Sequence, residues 1–225
     1  MRIYCDFVLI NSGVQLLNLL MNKEEVLLLL LALIIALVLF YNYRHSKQQQ
    51  SLFTHLKLDK TLTFLDSDGK IARLSTTITS RANHAGLTQM WFRNINADGQ
   101  IDNILVDGKE PAKIRRVAGS LEVCKEFSKA LRRGEIQQIE LSYELRDSFR
   151  SQREGMTHVT STDTAMLIMR VRFHPARSPS RTRAFVGYGS GKEEILAPLN
   201  VGNSEVSLEI RKPRLGAYYT IEWDW

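Results

Sequence analysis

Ile139-Glu-Leu-Ser-Tyr-Glu-Leu145 decides the fold class. Ile139, Leu141, Tyr143 and Leu145 fall on one face of an extended chain and Glu140, Ser142 and Glu144 on the other. That period of two is what a half-buried strand requires, and a helix cannot satisfy it. The alternation returns in Val206-Ser-Leu-Glu-Ile210 and in Tyr219-Thr-Ile-Glu-Trp-Asp-Trp225, where Tyr219, Ile221, Trp223 and Trp225 share one face. Turn residues punctuate these runs at Asp66-Ser-Asp-Gly69, Ala97-Asp-Gly99, Asp107-Gly108, Gly134-Glu135, Gly187 to Gly191 and Gly202-Asn203. About ten strands fit between them. The Asp-Gly pairs at Asp68 and Asp98 predict two hairpins, Thr61–Leu65 on Lys70–Ser80 and Met90–Ile95 on Ile101–Val106. One short helix is predicted over Glu122–Arg133, with Val123, Phe127, Ala130 and Leu131 at helical spacing and Gly134 as its stop. No strand–helix–strand alternation appears, which argues against a parallel nucleotide-binding sheet. The expected fold is all-β, an antiparallel β-sandwich or partly open β-barrel.

Upstream the pattern changes. Val26 to Tyr41 is an unbroken apolar run, and continued through Tyr43 it makes about 27 Å of helix, enough to span a bilayer core. Tyr41 and Tyr43 stand where interfacial aromatics belong, and Arg44, His45 and Lys47 close the run. Glu24 and Glu25 replace the positive flank of a cleaved signal peptide, so an uncleaved anchor is expected. Arg44, Lys47, Lys57 and Lys60 outnumber Arg2 and Lys23, which predicts a single-pass protein of the cell inner membrane with its C-terminal domain in the cytosol. The expected organisation is an N-terminal tail at 1–21, an anchor at 22–45, a polar stalk at 46–55 and a β-rich domain at 56–225. Met21 is a natural alternative start, so the tail is either an extension or an interfacial helix. Cys5 and Cys124 lie on opposite sides of the predicted span and are not expected to pair. The chain of 225 residues carries 30 Lys plus Arg against 24 Asp plus Glu, a positive balance that draws a domain toward an anionic leaflet.

Chemistry-bearing spacings are sparse. Histidines at 45, 55, 84, 158 and 174 form no His-x-His or His-x3-His pair, so neither a metal nor a cofactor is expected. Gly187-Tyr-Gly-Ser-Gly-Lys192 fails as a phosphate loop, with Val186 and Glu193 at its key positions, and reads as a hairpin turn. Carboxylates such as Glu140, Glu144, Asp147, Glu222 and Asp224 fall on polar strand faces and converge on nothing visible in sequence. No catalytic constellation is apparent; His84 and His158 remain formal candidates only. The concentrated feature is Arg170-Val-Arg-Phe-His-Pro-Ala-Arg-Ser-Pro-Ser-Arg-Thr-Arg183. Guanidinium groups match phosphate and carboxylate oxygens bidentately. Arg170, Arg172, His174, Arg177, Arg181 and Arg183 are therefore the candidate anion-binding residues, against the alternative of a solvated loop.

An apolar anchor followed by a cytosolic β-rich domain resembles, in architecture, the small membrane effectors and accessory proteins of bacterial antiphage defence. The resemblance implies a ligand-binding barrel that oligomerises on the membrane. The expected function is a non-enzymatic, membrane-anchored binding module, a sensor or effector. Its expected partners are the membrane, a nucleotide or anionic lipid, and a protein. A membrane-tethered scaffold subunit is the alternative. Sequence-specific nucleic-acid recognition is not expected, because the aromatics sit at strand positions destined for the core.

Overall fold

A computed structural model describes residues 27–38, 52–189, 193–195, 199–202 and 204–225. The chain divides into two compact units, residues 1–48 and 49–225. In the first, residues 27–38 are helical, and large side chains from Leu27 to Val38 are exposed. Among the described residues no helix is long and apolar enough to cross a membrane. The rest of the expected anchor at 22–45, the tail and most of the stalk lie outside the described residues.

The second unit is built of strands. In chain order they are β1 (Phe53–Phe64), β2 (Ile71–Ala82), β3 (Leu87–Ile95), β4 (Gln100–Val106), β5 (Lys113–Val117), β6 (Ser120–Leu131) and β7 (Ile136–Arg146). There follow β8 (Arg153–Val159), β9 (Met166–Arg172), β10 (Arg181–Gly187), β11 (Glu193–Ile195), β12 (Asn200–Val201), β13 (Glu205–Arg211) and β14 (Tyr218–Asp224). They form a seven-stranded sheet in the order β12-β13-β9-β1-β2-β7-β4, a four-stranded sheet β11-β10-β14-β8 and a three-stranded sheet β3-β6-β5. The domain is all-β as the alternation predicts, with more strands than expected. The large sheet is mixed rather than wholly antiparallel, because β1 pairs in parallel with β9.

Two local expectations are corrected. Residues 120–131, expected to be helical in large part, are the strand β6, held between β3 and β5. Ala130, counted on the apolar helix face, is exposed, while Leu121, Val123 and Cys124 are buried. Cross-strand pairing on both edges satisfies the backbone and overrides a spacing that suited a helix by coincidence. The hairpin at Asp98-Gly99 also fails: β3 joins the three-stranded sheet and β4 pairs with β7 of the large one. Gly99 serves close approach instead, since a Cβ there would collide with the Arg146 carbonyl oxygen. The hairpin at Asp68-Gly69 forms as predicted, with Leu62 opposite Leu74 and Phe64 opposite Ala72. Gly69 takes a φ of 74°, the left-handed conformation such a turn favours.

The seven- and four-stranded sheets share a core. Leu58, Leu62, Phe64, Leu74, Ile78, Ile139, Leu141, Leu167, Met169 and Val171 from the first join Met156, Ala184, Val186, Tyr219, Ile221 and Trp223 from the second. At one end Phe64 stacks on Phe173 with centroids 5.8 Å apart, and it meets Trp223 edge-on at 5.8 Å and Trp225 at 5.0 Å. Such geometries add stabilisation beyond the apolar area they bury. Tyr219, Ile221 and Trp223 point inward as read from the sequence, all at 4% exposure or less.

Candidate functional site

The arginine-rich segment does not converge. Arg170 and Arg172 project from the outer face of β9, opposite buried Leu167, Met169 and Val171. Arg170 is ion-paired with Asp59, and Arg172 Nε lies 2.7 Å from Glu205. Arg181 and Arg183 stand on the outer face of β10, in the other sheet. Arg183 pairs with Glu222, which also lies 3.4 Å from Arg153. Arg177, in the connection between them, stacks over the Trp225 ring at 3.7 Å and donates to the Asp68 carbonyl. His174 Nδ1 accepts a bond from the Ala176 amide at 3.2 Å. The six residues are thus distributed over two outer sheet faces and one connection. Asp59, Glu205 and Glu222 already occupy Arg170, Arg172 and Arg183, and a guanidinium so engaged has less left to offer a ligand.

A different constellation forms on the inner faces. Cross-strand register assigns each β1 side chain its face: Leu58 lies opposite Ile78, Lys60 opposite Thr76, and Leu62 opposite Leu74. Lys60 is therefore on the core side, beside Met169 of β9 and Leu141, which is opposite Thr76 on β7. Simple alternation would turn His55 outward with Lys57 and Asp59. A register shift between His55 and Lys57 reverses that, placing His55 opposite Ser80, a residue 1% exposed. His55 Nδ1 and Ser80 Oγ are 2.7 Å apart.

The other wall is β8, an edge strand of the four-stranded sheet, where buried Met156 fixes the inward parity of His158 and Thr160. Lys60 Nζ crosses between the layers and donates to the Thr157 carbonyl at 2.8 Å. Lys60, His55 and His158 are half-buried, in contrast to the closed core around them. Desolvation dominates their titration. It lowers Lys60 to about 8 and His55 to about 4, with Asp163 opposing the shift at His55. His158 falls to about 3 through desolvation, helped by the like charges of Lys60 and His55. Thr160 Oγ1 is buried without a hydrogen-bond partner. Three basic groups with displaced proton affinities at a recess beside a strand edge are the kind of arrangement that binding and acid–base sites use.

In the sequence His158 is a formal candidate only, and nothing there connects it with His55 or Lys60. The one signal available, a lysine on the apolar row Leu58-x-Lys60-x-Leu62-x-Phe64, is visible once the inner face of β1 is known. His84, the other formal candidate, is exposed in the loop after β2.

No family model matches the chain, and no curated protein matches it. Among solved structures, an M1 zinc metallopeptidase from Deinococcus radiodurans is similar over 75% of this chain and 42% of its own, at 13% identity and a TM-score of 0.41. Yeast LTA4 hydrolase in complex with bestatin is similar over 77% of this chain and 30% of its own, at 10% identity and a TM-score of 0.44. The similar structures are enzymes. The chain spans less than half the length of these proteins. Against the expectation of a non-enzymatic binding module, these similar structures are those of a metallopeptidase and a hydrolase. Among the described residues no three His, Cys, Asp or Glu side chains are grouped to hold a metal ion, so these residues do not fit a zinc centre.

Proposed function

We propose that this domain forms the peptide-binding part of a peptidase-type hydrolase. The apolar segment at 22–45 is proposed to tether it to a membrane. The observation that carries the reading is the juxtaposition of an open strand edge, β8, with the basic recess of Lys60 and His158. An extended peptide can add to a sheet edge through its backbone, which gives affinity for chain direction and length without demanding one side-chain sequence. Lys60 already occupies an edge carbonyl of β8, which keeps that edge from pairing indiscriminately.

Hydrogen exchange on the full chain tests this. Tri- to hexapeptides are expected to slow amide exchange in Arg153–Val159 while leaving β4 and β12, the edges of the seven-stranded sheet, unchanged. No protection by any peptide defeats the reading.

A further inference from the structure

The recess gathers donors around Lys60 and His158, while Asp163 acts at its His55 end. Lys60 supplies an ammonium group, and its bond to the Thr157 carbonyl occupies one of its three donors. The His158 ring makes no hydrogen bond among the described residues, and the residue is half-buried. Thr160, two residues further on the same face, has a buried hydroxyl without a partner. Leu58, Leu141, Met156 and Met169 surround the cluster with apolar surface. No carboxylate forms an ion pair with Lys60 among the described residues, whereas Arg170, Arg172 and Arg183 on the outer faces each have one. In an apolar setting an ammonium without an ion-pair partner is costly, and a monoanion bound beside it removes that cost.

We propose that Lys60 and His158, with Thr160 on the same face as His158, bind a carboxylate, the C-terminal carboxylate of a peptide laid along the β8 edge. This rests on the peptide-holding reading above and names the group recognised. One ammonium matches one carboxylate in charge. A phosphate dianion brings a second negative charge into the same apolar surroundings, with only neutral imidazoles to meet it unless they take up protons. His55 lies further along the recess, with Nδ1 held by Ser80, and its other nitrogen donates in the tautomer in which Nδ1 accepts from the Ser80 hydroxyl.

The test uses the full chain in detergent micelles, with the imidazole resonances of His158 and His55 followed by NMR near neutral pH and, for their pKa values, down to about pH 3. Three probes are titrated: Ala-Ala-Ala, its C-terminal amide, and inorganic phosphate. The free-acid tripeptide is expected to shift the His158 signals saturably and to raise the His158 pKa by about one unit or more, because a bound anion favours the imidazolium. The amide and phosphate are expected to do neither. Lys60→Met is expected to weaken tripeptide binding at least about tenfold, and Thr160→Val to weaken it less.

An equal response to the amide overturns the carboxylate assignment, as does an equal response to phosphate, or undiminished binding in a folded Lys60→Met variant. The wild-type titration decides by itself if Lys60→Met does not fold, and the isosteric Thr160→Val variant then supplies the mutational arm. Peptides that protect β8 from exchange equally as acids and as amides would defeat this inference alone. No protection by either would defeat the peptide-holding reading with it.

Discussion

The two ends of one interlayer space are built in opposite ways. At one end Phe64, Phe149, Phe173 and Trp223 fill it with rings, with Trp225 packed against them. Toward the other, the same strands β1 and β14 and the edge strand β8 enclose Lys60, His55 and His158. The aromatic end gains from every group it removes from water, while the basic end pays desolvation for each of its groups. A domain that keeps both has stability concentrated at one pole and chemical potential at the other, the pattern expected where a local rule is broken for function.

The largest expected effect tests the aromatic pole. Trp223→Ala should cost about 3–5 kcal/mol, read from chemical denaturation, since Trp223 is fully buried and touches four other rings. A loss below about 1 kcal/mol would erase the contrast.

The basic pole should respond in the opposite direction. Lys60→Met should leave stability at neutral pH unchanged or raise it by about 1 kcal/mol, because the variant fills the same row with an apolar chain and removes a desolvated amine. The lost bond to the Thr157 carbonyl opposes part of that gain. A loss of 3 kcal/mol or more, about the cost of a large truncation, would mean that Lys60 is a structural tie.

The pH profile sharpens the same contrast. His55 and His158 have folded values of about 4 and about 3, against 6.5 for a free imidazole. Between those values the unfolded chain binds more protons than the folded one. Their contribution is therefore complete above pH 6.5 and is lost as pH falls toward 3. Lys60 acts in a separate window, where its lowered value makes stability rise between about pH 8 and pH 10.5. The melting temperature should be more than about 5 °C lower near pH 4.5 than near pH 7. His158→Gln should reduce that fall without abolishing it, because His55 remains.

The smallest effect belongs to the outer faces. Arg172→Ala should change stability by less than about 0.5 kcal/mol, since Arg172 is exposed and its pair with Glu205 lies in water. A larger loss would make the outer ion pairs a structural element in their own right.

Alternation made Ile139–Leu145, Val206–Ile210 and Tyr219–Trp225 legible as strands because each buries one face, and burial leaves its mark on local order. The parallel join of β1 to β9 left no such mark, since it depends on partners far apart in sequence. Residues 120–131 misled because Val123, Phe127 and Leu131 fit a helical period as well as an irregular strand whose two edges are both paired. The arginines of 170–183 stood out in sequence, but their carboxylates, at Asp59, Glu205 and Glu222, did not. A clump of charge in sequence says nothing about which outer face each member reaches. Conversely, His55, Lys60 and His158 are unremarkable where they stand. Only the register shift before Lys57 and the arrival of β8 bring them together.

The parallel pairing of Leu58 with Leu167 also sets a timetable. β1 is central to the large sheet, yet one of its two neighbours is about a hundred residues downstream, a separation that slows folding through the entropy of closing so long a loop. At a ribosome adding about 5–20 residues each second, β1 emerges several seconds before β9 exists. Throughout that interval β1 can pair with β2 through the early hairpin at Asp68-Gly69, while its other side remains an unclaimed template. Nascent chains of this protein are therefore most exposed to mispairing with one another during that delay, and a chaperone that shields the hairpin until β9 is made should raise the yield of folded chain more than one acting after release.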